Sequence, residues 1–281
     1  MLRTRSPVRL LTHADVDAAL ELCAQDLAAN VFVASRIAAG ALGVGSQAVL
    51  GFVEDRQLSS LVWTQANVVP VQTDARTRAA LAVGVRRARR RTASLLGPAD
   101  QVLALWDLVD TSYPRPRSLR PVQPLLATRT PPSRLGVALD HRVRPARLEE
   151  TDLIVPVAAH MFTEEIGYPP YQGSSNYYRE SVRTLIALGR TYAVIEGGEV
   201  IFKADVGSCA LGALQIQGVW LTPRLRGQGL ATAMMAATIE QAMADHAPYV
   251  TLYVNDYNAP ALATYLRCGM EQVGTFATVL L

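Results

Sequence analysis

The sequence predicts an α/β protein built as two lobes, on three observations. Strand-like apolar runs alternate with helix-length amphipathic segments along the chain. A breaker-rich stretch, Thr128-Arg129-Thr130-Pro131-Pro132-Ser133, follows a segment holding Pro114, Pro116, Pro121 and Pro124, and divides the chain near 130–142. At 281 residues, half of them hydrophobic, the chain is long for one compact core and comfortable for two. The expected lobes are 1–130 and 141–281.

In the first lobe, Thr12 or Asp15 caps a helix over 16–27. Residues 48–52 and 61–64 read as strands, 75–91 as a helix, 93–96 as a strand and 101–108 as a helix. The strand end Val68-Val69-Pro70-Val71 runs into Gln72-Thr73-Asp74-Ala75-Arg76-Thr77 without a glycine, so no phosphate-cradling turn is expected there. Periodicity alone supports an α/β lobe and nothing finer.

The second lobe opens at 143–152, where a strand leads into an Asp/Thr-capped helix over 154–161. A second helix follows, then a strand (192–195), a turn (196–199), and strands at 200–206 and 211–221. A glycine turn, a helix (230–244), a strand (248–254), a helix (261–268) and a short final strand complete it.

The most informative segment is Val219-Trp220-Leu221-Thr222-Pro223-Arg224-Leu225-Arg226-Gly227-Gln228-Gly229-Leu230-Ala231-Thr232. A strand feeding a glycine turn that opens a helix aims several backbone N–H groups at one spot. The helix dipole adds partial positive charge, which suits an anion such as a pyrophosphate. Gly227 and Gly229 let the backbone approach a ligand. The spacing is neither G-x-G-x-x-G, since residue 232 is Thr, nor a Walker loop, which needs a Lys. It matches [Q/R]-x-x-G-x-[G/A] through Arg226, Gly229 and Ala231, and so resembles the acyl-CoA pyrophosphate motif of the GNAT acetyltransferases. Asn255-Asp256-Tyr257-Asn258-Ala259-Pro260, the helix after it, Gly269 and Met270 resemble the same family, which usually has Phe at the last position.

The resemblance covers 141–281 nearly end to end and implies tandem lobes, each with a mixed, mostly antiparallel central sheet flanked by helices. The first lobe is expected to be a degenerate, non-catalytic companion. The implied activity is acetyl-CoA-dependent N-acetyl transfer to a primary amine of a small molecule, amino acid or peptide, by direct attack in a ternary complex. By resemblance, Val219, Trp220 and Leu221 hold the pantetheine arm, Arg226, Gly227, Gln228, Gly229, Leu230, Ala231 and Thr232 hold the pyrophosphate, and Asn258 touches the pantetheine. Tyr265 is the implied donor to the departing thiolate; without the resemblance it reads as a half-buried core tyrosine.

The base stays open. Gln215 and Gln217 stand where some family members carry a carboxylate, and neither takes a proton. Glu164 and Glu165 are the candidates, Asp256 a weaker one, and an acceptor arriving neutral needs none. Tyr168 and Tyr171 either line an acceptor pocket or cover the core.

Composition narrows the partners. Three scattered cysteines and four dispersed histidines suggest neither a disulfide scaffold nor a metal site, and point to a reducing, cytoplasmic setting. No leader pattern or long apolar run predicts a membrane partner. Arg86, Arg87, Arg89, Arg90 and Arg91 form a basic cluster without interleaved aromatics, read as a solvated helix face. Nucleic acid is disfavoured. An anionic-surface binder through these arginines, or an acyl-CoA sensor without turnover, are the alternatives. A homodimer, with lobes pairing across two chains, stays open alongside pairing within one.

Overall fold

The computed structural model describes residues 6–43 and 47–281. Residues 1–5, where the reading of the leader pattern begins, lie outside it. One order of elements occurs twice. The first series is β1 (Val8–Leu10), α1 (Val16–Ala24), α2 (Leu27–Ala38), β2 (Val49–Glu54), β3 (Gln57–Thr64), β4 (Asn67–Val71), α3 (Ala75–Ala88), β5 (Ser94–Pro98), α4 (Ala99–Val109) and β6 (Ser118–Thr128). The second is β7 (Arg144–Pro145), α5 (Thr151–Ile166), α6 (Asn176–Ala187), β8 (Thr191–Glu196), β9 (Glu199–Ala210), β10 (Ala213–Leu221), α7 (Leu230–Asp245), β11 (Tyr249–Tyr253), α8 (Ala259–Arg267) and β12 (Glu271–Leu280).

The chain forms two compact units that are not contiguous in sequence. The first contains the described residues up to Leu125, with Tyr253–Tyr257 and Gln272–Leu281; the second contains Leu126–Leu252 and Asn258–Glu271. In the first unit β1, β2, β3 and β4 pair antiparallel in chain order, and β4 then pairs parallel with β5 across the α3 crossover. The strand that flanks β5 on its other side is β12, antiparallel, with Ala277 opposite Gly97 and Val279 opposite Leu95. In the second unit β7, β8, β9 and β10 pair antiparallel, and β10 pairs parallel with β11 across α7. Within each unit the strand pairing is therefore mixed and mostly antiparallel, as the family resemblance implies.

In the first unit one apolar cluster joins α3 and α4 to the sheet through Leu81, Val85, Leu105, Val62, Val68 and Val279. Trp63, next to Val62 on β3, meets Phe32 of α2 edge-on at 6.1 Å, so α2 covers the other face. In the second unit α5 and α6 cover one face through Ile154, Ala158, Ile186, Ala193 and Trp220.

Local differences from expectation have physical causes. The helix expected over 16–27 stops at Ala24, because the Asp26 carboxylate accepts from the Ala29 N–H (3.3 Å) and starts α2. The proline-rich segment is an eleven-residue strand, β6. It carries Gln123, whose amide nitrogen donates to Asn255 Oδ1 (2.8 Å) and whose oxygen accepts from Thr278 Oγ1 (2.6 Å). The final strand is not short: β12 runs ten residues. Within the basic cluster, Arg86 donates to the Leu108 carbonyl and Arg91 to the Thr64 carbonyl (3.0 Å), so both stitch the first unit together.

Candidate active site

In the second unit β10 ends at Leu221, one 3-10 turn (Pro223–Leu225) follows, and α7 begins at Leu230. Gly227 (φ +77°) and Gly229 (φ +78°) both lie in the left-handed region. A Cβ at either would meet nothing within 4 Å, so glycine is required here by backbone conformation rather than by crowding. Gly229 is the N-cap of α7 and has no side chain to cap with, which leaves the first-turn N–H groups of Leu230, Ala231 and Thr232 for an external acceptor. The turn is braced from both ends. Arg226 Nε donates to the Leu221 carbonyl (3.0 Å) and Gln228 Nε2 to the Arg224 carbonyl (2.9 Å).

The equivalent turn of the first unit differs in one decisive residue. The α3 N-terminus is capped by Asp74, whose carboxylate accepts from the Thr77 N–H (2.7 Å) while Thr77 Oγ1 receives the Asp74 N–H (3.0 Å). These bonds hold the Asp74 carboxyl below its ordinary range. That helix end already carries its own anion, whereas α7 does not.

Above the turn, β10 parts from both neighbours. Its parallel pairing with β11 covers only Ala213 to Gln215. Its register with β9 slips between Gln217 and Trp220, so Gly218 and Val219 form a bulge. Val219 and Leu221 are half-buried, and Trp220 turns its ring into the α5/α6 core, where its indole N–H has no partner. Trp220 therefore offers a ligand only its backbone. Gln215 is buried and Gln217 exposed, the latter lying against Gly207.

Asn258 caps α8, its side-chain oxygen accepting from the Ala261 N–H (3.3 Å). One turn on, Tyr265 is 7% exposed, and its hydroxyl hydrogen-bonds to none of the described residues. Burial, then the Glu165 charge, then Cys268, hold this phenol well above its ordinary pKa, so it keeps its proton. The Cys268 thiol reaches the Thr232 carbonyl (3.5 Å) and ties α8 to the start of α7.

The two candidate carboxylates lie side by side at the end of α5 and do different things. Glu164 meets Arg226 Nη2 (3.4 Å) and His160 Nε2 (3.4 Å). Glu165 is the carboxylate whose charge reaches Tyr265. Asp256 belongs to the first compact unit, where its carboxylate accepts from the Tyr257 N–H (2.9 Å). Tyr168 meets Phe162 edge-on (5.9 Å), and Tyr171 lies tilted against Tyr178 (5.7 Å). Burial, then Asp205, push the Tyr178 phenol up to about 12.

The sequence reading passed over one buried pair beside the bulge. Lys203, 1% exposed, donates from Nζ to Asp205 Oδ2 (2.6 Å) and to the Gly218 carbonyl (2.9 Å). Asp205 also accepts from Thr191 Oγ1 (2.8 Å). The available signal was the sole lysine among 27 basic residues, set inside an apolar strand. Among the described residues no group of three or more His, Cys, Asp or Glu is placed to hold a metal, and no helix is long and apolar enough to cross a membrane.

Comparison with known proteins agrees with this geometry. Residues 161–270 match the model of the acetyltransferase (GNAT) family. Residues 47–154 match a domain of unknown function, DUF4081. No curated protein matches the chain. Among solved structures, the chain is similar to a GNAT-family acetyltransferase from Colwellia psychrerythraea (TM-score 0.57, 10% identity, covering 98% of this chain and 99% of the other). It is similar to a GCN5-related N-acetyltransferase from Sphaerobacter thermophilus (TM-score 0.58, 16% identity, covering 97% and 95%). A tandem GNAT protein from the clavulanic acid biosynthesis pathway is alike to the same degree (TM-score 0.56, 16% identity, covering 97% and 98%). At such identities these likenesses speak for the fold, and the family match speaks for the class of chemistry. The chain has the fold of tandem GNAT proteins, and the match of its residues 161–270 to the GNAT acetyltransferase family supports an acyltransferase.

Proposed function

We propose that the chain transfers an acetyl group from acetyl-CoA to a primary amine of a small molecule, amino acid or peptide, by direct attack in a ternary complex. The observation that carries the reading is the uncapped α7 N-terminus, held in one unit with the bulged end of β10 and with the Tyr265 hydroxyl, which hydrogen-bonds to none of the described residues. The pyrophosphate accepts from the backbone of Gly227 to Thr232. Asn258 and the backbone of Val219, Trp220 and Leu221 hold the pantetheine arm.

The neutral amine attacks the thioester carbon, and the Val219 N–H takes the charge developing on the carbonyl oxygen. The C–S bond then breaks. Tyr265 gives its proton to the sulfur and regains one as the amine nitrogen sheds its own, so the net transfer is one proton from nitrogen to thiolate. Glu164 lies between Arg226 and His160, at 3.4 Å from each, and supports the turn from the end of α5. Glu165, whose charge reaches Tyr265, relays that single proton from the amine nitrogen back to the phenolate and ends the cycle as it began. Holding both substrates in one cleft supplies the proximity contribution.

Calorimetry with acetyl-CoA tests the reading on wild type and Gly229→Glu. Micromolar binding lost in the variant is expected, with thermal unfolding as the check that the new side chain at φ +78° leaves the fold intact. Amine acceptors are then screened by thiol release. A wild type that does not bind acetyl-CoA refutes the proposal.

A further inference from the structure

Buried ion pairs are costly to desolvate, and this one is not placed where it only fills space. Lys203 and Asp205 stand two apart on β9, opposite the stretch of β10 that bulges. A Cβ built on Gly218 (φ +61°) would come within 2.8 Å of Asp205 Oδ2 and 3.1 Å of Lys203 Nζ. Both charges therefore lie flush against the bulge backbone. The Gly218 carbonyl, which has lost its place in the β9 ladder, is taken by Lys203 Nζ at 2.9 Å. Thr191 Oγ1 and Lys203 Nζ each hold one oxygen of Asp205, which fixes the carboxylate and through it the ammonium.

This contact has a directional consequence. The peptide joining Gly218 to Val219 is trans, so its C=O and N–H lie on opposite edges of one plane. A carbonyl drawn towards β9 turns the Val219 N–H away from β9, to the side where β10 has already lost its pairing with β11. We infer that Lys203 is a positioning residue for acyl transfer: by holding the Gly218 carbonyl, and itself held by Asp205, it aims the Val219 N–H at the thioester carbonyl. The inference rests on the reading that acetyl-CoA is the donor, and it assigns this buried pair a role in orienting the transition-state donor rather than in binding the cofactor. A lysine suits this task because its compact ammonium spreads three donors over a carboxylate and a carbonyl, where the planar guanidinium of arginine favours a fork.

Lys203→Met alone leaves Asp205 charged and buried, so the informative variant is Lys203→Met with Asp205→Leu, which removes both charges. The probe is acetyl-CoA isotope-labelled at the thioester carbonyl, read by infrared difference spectroscopy on the intact protein, with calorimetry in parallel. The expected result is an unchanged Kd for acetyl-CoA and a carbonyl band at higher frequency in the double variant, where the hydrogen bond from Val219 is misaligned. With an acceptor in hand, kcat falls about tenfold to a hundredfold while KM for acetyl-CoA holds. Equal band positions in wild type and double variant, with acetyl-CoA bound to both, overturn this inference and leave the donor assignment standing. No binding to the wild type overturns both.

Discussion

Replacing Tyr265 by phenylalanine separates chemistry from packing at this site. The side chain is 7% exposed, and its ring is part of the packing, but its hydroxyl bonds to no described residue. Removing the oxygen therefore breaks no hydrogen bond among the described residues and keeps the ring, so stability should change by no more than about 0.5 kcal/mol. If Tyr265 protonates the leaving thiolate, turnover falls by roughly a hundredfold to ten-thousandfold, or about 3–5 kcal/mol of transition-state stabilisation. The assay is thiol release at saturating acetyl-CoA and amine near neutral pH, with thermal unfolding measured on the same samples. An unchanged turnover at full stability refutes the role of Tyr265. A chain with no turnover to lose, yet with tight acetyl-CoA binding, is the sensor instead. The same variant has a pH signature. The folded phenol holds its proton above the ordinary value, so the folded state keeps bound a proton that the unfolded state releases above about pH 10. That contribution is present below about pH 10 and is lost as pH rises, so Tyr265→Phe should lessen the alkaline loss of stability.

Further expectations concern the frame around the site. Arg144 holds the Glu150 carboxyl at about 2, chiefly by hydrogen bonding through Nη1 (2.8 Å) and Nη2 (2.6 Å). A depressed folded pKa means stability present above the unfolded value and lost as pH falls from about 4 towards 2, so Arg144→Gln should flatten acid denaturation in that window. Asp74→Ala removes the α3 cap and should lower the melting midpoint by a few degrees while leaving acetyl-CoA affinity and stoichiometry unchanged; a second equivalent of bound acetyl-CoA would show that the freed α3 end takes a donor too. Lys203→Met alone should cost about 3–5 kcal/mol in denaturant unfolding and the double variant with Asp205→Leu far less; equal losses would show that the pair is not coupled.

The elements legible in the sequence are those whose cause is local. The strand, the proline and the glycines at 227 and 229 lie within one short stretch, and positive φ at both glycines is a demand that adjacent residues impose. The Asp74 cap is equally local, since Asp74 and Thr77 are three residues apart, and the missing glycine there agreed with it. Periodicity found most strands and helices because it records which face of an element is buried. It does not record against what. The break between α1 and α2 was hidden because the apolar pattern continues across Gln25-Asp26, and only the Asp26 cap separates the helices. The strand β6 was hidden behind Pro121 and Pro124, which lack a ladder N–H and read as breakers out of context.

By itself the sequence determined the α/β class, the repeated order of elements and the glycine turn that opens α7, because hydrophobic period and backbone conformation are set by neighbours in the chain. Tertiary structure alone decided which strand completes which sheet. The last residues of the chain pair with β5, at 94–98, and complete the first unit. It also decided which charges meet. Glu164 reaches Arg226 across 62 residues, Gln123 reaches Asn255 across 132, and Lys203 reaches the Gly218 carbonyl across 15. The physical reason is common to all of them. A buried polar group takes whatever partner the packed fold brings within hydrogen-bond reach, and that choice is written in three-dimensional proximity rather than in spacing along the chain.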